Sequence, residues 1–320
     1  MDYTIRHITR FRYSAPIAES IMEVRMQPRR DENQHCLSFE LTTDPYTRIT
    51  VSRDYLGNIV QHFDVLRPHD QLTITARSLV STTPSKPLQP LGPSAWHALD
   101  QLINEDDNIE MVLTSHFAQP SQLLREFADE LEISRRDDPL TVVQQLNQRL
   151  FQQLSYKPKS TRVDSPIDEA LSQRAGVCQD FSHIMIAMLR ELGIPARYVS
   201  GYLYHHRDDQ SMRSPDATHA WVEVLLPELG WIGFDPTNNM LASERHIKVA
   251  IGRDYADVPP TRGVFKGQAD TELGVAVQVS QSQDYVENSD DELLLVMKQL
   301  SPPRNAGEQP EQQQQNNRGV

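Results

Sequence analysis

The chain has 320 residues, enough for two or three domains and a sizeable core. Its 44 acidic against 31 basic side chains give a formal charge of -13, which argues against a nucleic-acid partner, since such domains carry a basic stripe or patch. Its 2 cysteines, Cys36 and Cys178, lie far apart, which excludes a disulfide framework and a cysteine metal spacing, leaves open one bridge between them, and suits a cytosolic protein that keeps its thiols.

The N-terminus, MDYTIRHITRFRYSAP, lacks the apolar stretch of a signal peptide, and no apolar run approaches membrane-spanning length. A cytoplasmic protein with no membrane partner is the expectation. From residue 3 to about residue 82 short alternating strands with turn signals predict an antiparallel β domain over 1–82. Within it, Asp54 to Asn58 reads as a hairpin turn between Ile49/Val51 and Ile59/Phe63. The proline-rich stretch STTPSKPLQPLGPSAW cannot continue a strand and predicts a linker over 83–98. Helices are predicted at 121–131, at 139–154 with Asp138 as cap and Pro139 in the first turn, and at 178–192 with Gly193 as the stop. Strands ARYVSGYL, AWVEVLL, WIGFDPT and GVAVQVS follow, and the second domain is drawn over 99–282, with its core at 150–262. The tail 283–320 is almost free of aliphatic and aromatic side chains at its end and is expected to be disordered from about 301. The fold class is therefore α+β.

In RAGVCQDFSH, Cys178 follows a glycine at the head of a helix. Unpaired N–H groups at a helix N-terminus favour thiolate over thiol and could hold an oxyanion. A small buried core residue is the other reading, because free cysteine is among the most buried types. A thiolate nucleophile needs a base, and the base an orienting group. In DATHAWVEVLLPELGWIGFDPTNN, strand alternation puts His219, Trp221 and Glu223 on one face, with Ala220, Val222 and Val224 on the core face. A hairpin centred on Pro227 would set Glu223 opposite Trp231 and His219 opposite Asp235, a pairing that depends on register. Taken singly, His219 reads as a satisfied half-buried histidine and Asp235, before Pro236, as a turn former. The order Cys, His, Asp in three matched features changes that balance.

GVCQDFSH, GIPARYVSGY and THAWVEVLLPELGWIGFDPT together resemble the bacterial transglutaminase-like superfamily of cysteine proteases and acyltransferases. YTIRHITRFRYSAPI, MQPR and DYLGNIVQHF resemble the β-rich domain that precedes that family's core, and RDYADVPPTRGVFKG its usual following segment. The resemblance implies a transglutaminase/papain-like core in which Cys178 is the nucleophile, His219 the general base and acid, and Asp235 the orienting carboxylate. It implies acyl transfer from peptide or protein amides through a thioester, with hydrolysis favoured over γ-glutamyl transfer to an amine. A non-catalytic scaffold with an inherited core is the reading from another class. The Cys178 N–H is one expected oxyanion donor; Tyr156 and Gln179 are further oxyanion or cleft candidates, and Trp221 a cleft wall, with ordinary packing as the alternative for the aromatics. Asp180 reads as a structural carboxylate that must point away from the thiolate or pair. His205 and His206 with Asp208 or Asp209 offer no recurrent metal spacing and read first as a solvated loop. Neither a metal nor a cofactor is expected.

Overall fold

The computed structural model describes residues 1–85, 87–104, 106–205 and 218–282. The rest of the loop expected beside the site, with His206, Asp208 and Asp209, and the tail from 283 lie outside the described residues.

Six strands open the chain: β1 (Asp2–Ile17), β2 (Glu19–Val24), β3 (Gln34–Asp44), β4 (Thr50–Arg53), β5 (Ile59–Val65) and β6 (His69–Thr82). The β4–β5 hairpin forms where Asp54 and Asn58 predict it. Asp54 Oδ1 accepts the N–H groups of Leu56 and Asn58, and Gly57 supplies the left-handed residue at φ 75.

Helix α1 (Ala95–Ile103) begins inside the stretch expected as linker, because the prolines end at Pro93 and AWHALDQLI can then bury Ala95 and Leu99. After a short 3-10 helix at Asp106–Met111 come α2 (Gln122–Glu130) and α3 (Pro139–Gln153). Ser121 caps α2 by accepting the Leu124 N–H, and Asp138 caps α3 by accepting those of Leu140 and Thr141. Then follow β7 (Ser155–Tyr156), α4 (Ile167–Gln173), β8 (Ala175–Gly176), α5 (Cys178–Glu191), β9 (Ala196–Leu203), β10 (Thr218–Leu226), β11 (Gly230–Asp235), β12 (Met240–Leu241) and β13 (His246–Gly252). Strands β9 to β13 form one antiparallel sheet in the order β12-β11-β10-β9-β13. Helix α5 packs on β10 and β9 and is buried on all sides from Cys178 to Arg190, so it is the axis of the main core rather than an amphipathic surface helix. It stops where Gly193 takes φ 67 and Ile194 N–H reaches back to the Leu189 carbonyl.

The chain then returns to where it began. Strands β14 (Thr261–Lys266) and β15 (Thr271–Gln281) pair antiparallel with β2 and β1, giving two four-stranded sheets in the orders β14-β2-β5-β4 and β15-β1-β6-β3. These sheets enclose a second core of Phe11, Met22, Phe63, Leu72 and their neighbours. A boundary drawn between residues 82 and 99 thus separates stretches of sequence but not sheets. The far end of β1 crosses into the main core, where Tyr3 and Ile5 pack with the helices.

The N-terminal part also closes the outer edge of β13. Gln34 donates to the Lys248 carbonyl and accepts the Lys248 N–H, at 2.8 and 2.7 Å; Asn58 does the same with Ile251, at 2.8 Å in both directions. Two side-chain amides thereby occupy groups that an edge strand would present to another chain.

Candidate active site

Cys178 is the first residue of α5 and is 1% exposed. Before it, Gly176 pairs with Tyr156 in a short parallel bridge, and Val177 is extended. Asp180 turns back from the first helical turn to accept the Val177 N–H at 2.8 Å and the Thr161 hydroxyl at 2.5 Å. A Cβ on Gly176 would lie 2.8 Å from Asp180 Oδ2, so the glycine of GVC makes room for this cap. Burial pushes the Asp180 carboxyl up to about 6, with the Thr161 and Val177 hydrogen bonds only partly opposing it. The pairing expected for Asp180 is thus made, and Thr161 is the partner that no local pattern pointed to.

The β10–β11 register differs from the expected one by two residues. Glu223 lies opposite Gly233 and Leu225 opposite Trp231, because the turn runs through Glu228 at φ 62 and Gly230 at φ 72 rather than centring on Pro227. A shift of two leaves each side chain on its own face, and the His219–Asp235 contact survives as a diagonal neighbour. His219 Nε2 donates to Asp235 Oδ2 at 2.8 Å, with both side chains fully buried. Asp235 also accepts from Asn238 Nδ2 (2.7 Å), the N–H groups of Thr237 (3.0 Å) and Asn238 (3.2 Å), and His246 Nε2 (3.2 Å). Because His246 Nδ1 accepts the Ser243 N–H, its proton sits on Nε2 and points at the carboxylate.

The electrostatics follow from this arrangement. Burial alone would raise the Asp235 carboxyl and lower His219, but the two face each other, and the His219 and His246 hydrogen bonds favour the carboxylate. Asp235 is held well below the ordinary carboxylate range, and His219 is raised above its ordinary value by Asp235 and, to a smaller degree, by Cys178. With Nε2 engaged, Nδ1 of His219 is buried without a hydrogen-bond partner of its own and is the nitrogen left for Cys178.

Cys178, Gln179 and His219 line one pocket of about 430 Å³ of empty space, part of it open to solvent, together with Tyr198, Tyr202 and His7. Burial first, and then the neighbouring Cys178, push the Tyr198 phenol well above its ordinary value, so it lines the pocket as a neutral hydroxyl. Gln179 is buried and donates to the Val163 carbonyl at 2.9 Å. Tyr156 is half-buried and is not among the described residues lining the pocket.

Trp221 is not a cleft wall. It is 1% exposed and packs with Val199, Ile251 and Leu56 of the β4–β5 turn, behind His219, whose ring it faces at 6.2 Å and 22°. The face of β10 expected to open on a cleft is instead covered by the N-terminal part. Gly201, opposite His219 on β9, is required by this packing: a Cβ there would lie 2.7 Å from the Trp221 ring and 2.2 Å from the Ile247 carbonyl oxygen. Glu223, on the same face, is buried in an ion pair with Arg197 and Lys248. His183 is not among the described lining residues but packs behind two of them, with its ring 5.0 Å from that of Tyr198, stacked on Phe117 and accepting the Tyr255 N–H.

His219, Asp235 and His246 are also the donor set nearest to a metal site, with one ligand atom each within 4.8 Å of the others. Those atoms already bond to one another through the two Nε2 protons, so a cation would have to displace both protons to enter. Among the described residues no helix is long and apolar enough to cross a membrane.

Sequence reasoning missed His246 and His7. His246 lies eleven residues past Asp235 in a strand whose other residues gave no sign of a site, and His7 sits in β1, 195 residues before the Tyr202 it meets in the pocket. The signal for His246 was available in the pairing of β13 with β9, which only tertiary structure supplies.

Comparison with known proteins places these features in a family. The transglutaminase-like superfamily core matches residues 125–236, and the bacterial transglutaminase-like N-terminal region matches residues 3–81. An uncharacterized protein of Mycobacterium tuberculosis is 37% identical over 290 residues, covering 87% of this chain and 92% of its own length. A protein-glutamine gamma-glutamyltransferase of Pseudomonas aeruginosa is 31% identical over 161 residues, 45% of this chain and 23% of that protein. The crystal structure of a candidate cysteine protease from Cytophaga hutchinsonii shares the fold, with a TM-score of 0.69 at 22% identity over 92% of this chain and 96% of that one. The chain belongs to the transglutaminase-like superfamily and carries, ahead of its core, the N-terminal region of the bacterial members.

Proposed function

We propose that the protein is a cysteine-dependent acyl-transfer enzyme acting on peptide or protein amides, with water as the usual acceptor. The observation that carries this reading is the His219–Asp235 pair, buried at the wall of the pocket that Cys178 heads, with the second histidine nitrogen left on the thiol side. Cys178 Sγ attacks the amide carbonyl while its proton passes to His219. The tetrahedral oxyanion is received by the N–H of Cys178, in the first turn of the helix, where N–H groups have no intrahelical acceptor, and by the Tyr198 hydroxyl, which takes the role first considered for Tyr156. His219 then protonates the departing amine as the carbon–nitrogen bond breaks, leaving a thioester on Cys178. Water, deprotonated by His219, attacks the thioester carbon, and the sulfur leaves as thiolate. Asp235 holds the imidazole in the tautomer that presents Nδ1 and offsets the charge of the imidazolium. The two free thiols suit a reducing compartment, and we place the protein in the cytoplasm.

Transfer to an amine in place of water is the second reading, favoured by the likeness to the Pseudomonas γ-glutamyltransferase over 45% of this chain. The test is alkylation of Cys178 by iodoacetamide against pH in the native chain and in His219→Ala, followed by mass spectrometry of a peptide mixture incubated with and without a primary amine. Alkylation that persists below about pH 7 and collapses in the variant supports the pair. Peptides that gain water identify a hydrolase, and peptides that gain the amine a transferase. Alkylation indifferent to His219, with no product of either kind, would leave the scaffold reading in its place.

A further inference from the structure

The pocket is built from both parts of the chain, and among its described lining residues the one fixed charge comes from the N-terminal part. Two of its described lining residues precede the linker: His7 of β1 and Arg25, which follows the last residue of β2. His7 Nδ1 is 2.8 Å from the Tyr202 hydroxyl, and burial pushes its imidazole down to about 3, so it lines the pocket as a neutral ring. No aspartate or glutamate is among the described lining residues. A Cys178 thiolate facing a His219 imidazolium is neutral as a pair. Arg25 is what remains.

Arg25 is anchored through its backbone, whose N–H donates to the Pro260 carbonyl at 2.8 Å, and Pro260 is itself a lining residue. Its side chain is 10% exposed yet poorly used. Among the described residues the guanidinium makes one hydrogen bond, from Nη1 to Glu23 Oε2, at a long 3.5 Å; Asp54 Oδ2 stands 3.7 Å from Nε, and Nε is buried without a hydrogen-bond partner. A guanidinium presents five donors in a fixed fork, and leaving the Nε donor buried without a hydrogen bond is costly. Asp54 cannot turn toward it readily, because both its oxygens hold the β4–β5 turn through Leu56 and Asn58. What satisfies such a fork best is a carboxylate, taken bidentately.

We infer that Arg25 is a specificity-determining residue of the acyl-transfer site, and that the preferred substrates are peptide amides bearing a free carboxylate close to the bond that is cleaved. This rests on the acyl-transfer reading of the same pocket. The carboxylate has two possible sources, an acidic side chain or the C-terminus of a short peptide, and both present the same group to the fork.

The test uses the full chain and needs no known substrate. Rates of alkylation of Cys178 are measured with iodoacetate and with iodoacetamide, anionic and neutral reagents of similar shape, in the native protein, Arg25→Lys and Arg25→Gln. The iodoacetate to iodoacetamide ratio is expected to fall about tenfold or more in Arg25→Gln, in keeping with the loss of one charge-assisted hydrogen bond, and to be partly retained in Arg25→Lys. In the unaltered chain, N-acetylglutamate α-amide and N-acetylalanylalanine are compared with their neutral counterparts, N-acetylglutamine α-amide and N-acetylalanylalanine amide, as protectants against iodoacetamide. Protection by the first acid alone assigns an acidic side chain, and by the second alone a C-terminal carboxylate. An unchanged ratio in the variants, or acids that protect no better than their amides, overturns the inference. These ratios are read whether or not any amide is turned over, so absence of turnover counts against the acyl-transfer reading and not against the anion site.

Discussion

Replacing Asp235 by Asn keeps shape and volume and removes one charge, and the structure says what should follow. Asp235 accepts five hydrogen bonds, from His219, His246, the Asn238 side chain and two backbone N–H groups, and is 0% exposed. An amide oxygen could retain the two bonds at the turn. Its NH₂ would then meet three donors, the Nε2 protons of both histidines and Asn238 Nδ2. Breaking a buried pair by altering one partner is destabilising by about 3–5 kcal/mol, and the retained turn bonds set the expectation near the lower figure. The pH dependence has a definite sign. The pKa of Asp235 is lowered on folding, so its contribution is present above the ordinary value of 3.8 and fades as pH falls further toward the depressed one. The pKa of His219 is raised, so its contribution is full below its ordinary value of 6.5 and is lost as pH rises through the elevated one. Urea unfolding of the native chain and of Asp235→Asn should therefore differ most near pH 5 to 6, with the gap narrowing toward both acid and alkali. In the variant, Cys178 alkylation should also lose its His219 dependence, and turnover should fall by a factor on the order of 10⁴, as when a triad carboxylate is amidated elsewhere. Equal unfolding midpoints for the two chains across that range would refute the ion-pair account.

Other perturbations probe the surrounding structure. Asp180→Asn should isolate one pH dependence: the carboxyl rises from 3.8 to about 6 on burial, so the Asp180 contribution to stability should decline between those values as pH rises, by about 3 kcal/mol for roughly two units, read in a urea series as the change in the native-minus-variant difference. Gly201→Ala should lower the thermal midpoint or abolish soluble expression, because its methyl group would overlap the Trp221 ring and the Ile247 carbonyl; overpacking of this kind costs about 1–3 kcal/mol or more. Asn58→Ala leaves the Ile251 N–H and carbonyl without their partners and should destabilise by about 1–3 kcal/mol, with hydrogen exchange at Ile251 accelerating ahead of exchange in α5.

Much of the candidate site could be read from the sequence because its geometry is local. Strand alternation placed His219 and Asp235 on one face, and an error of two residues in register left that intact, since the side-chain period of a strand is two. The Asp138 cap of α3 was equally legible, as it lies within three residues of the N–H groups it accepts from. What escaped was set by contacts distant in sequence. The far face of β10 looked solvent-facing from its His, Trp and Glu, and is dry because the β4–β5 turn and its Leu56 cover it. Helix α4 was missed because seven residues with three buried positions do not make a period. His7 and Arg25 carry no motif, and become visible only when β14 and β15 carry the chain back to β2 and β1.

That return path bears on what a cut in the chain would do. A protease acting at the exposed proline-rich stretch would break one covalent connection, yet the pieces would stay joined by eleven residue pairs between β1 and β15, six between β2 and β14, and the amide clasps of Gln34 and Asn58. Nicked protein should migrate as two bands under denaturing conditions and elute as a single species under native ones, with its thiol pocket complete. The same braid means that a gene fragment encoding the helical part alone would yield three unsatisfied sheet margins, whereas two co-expressed fragments divided at that stretch could find each other. For this fold the pairing of β14 and β15 with β2 and β1, rather than the linker, fastens the halves together.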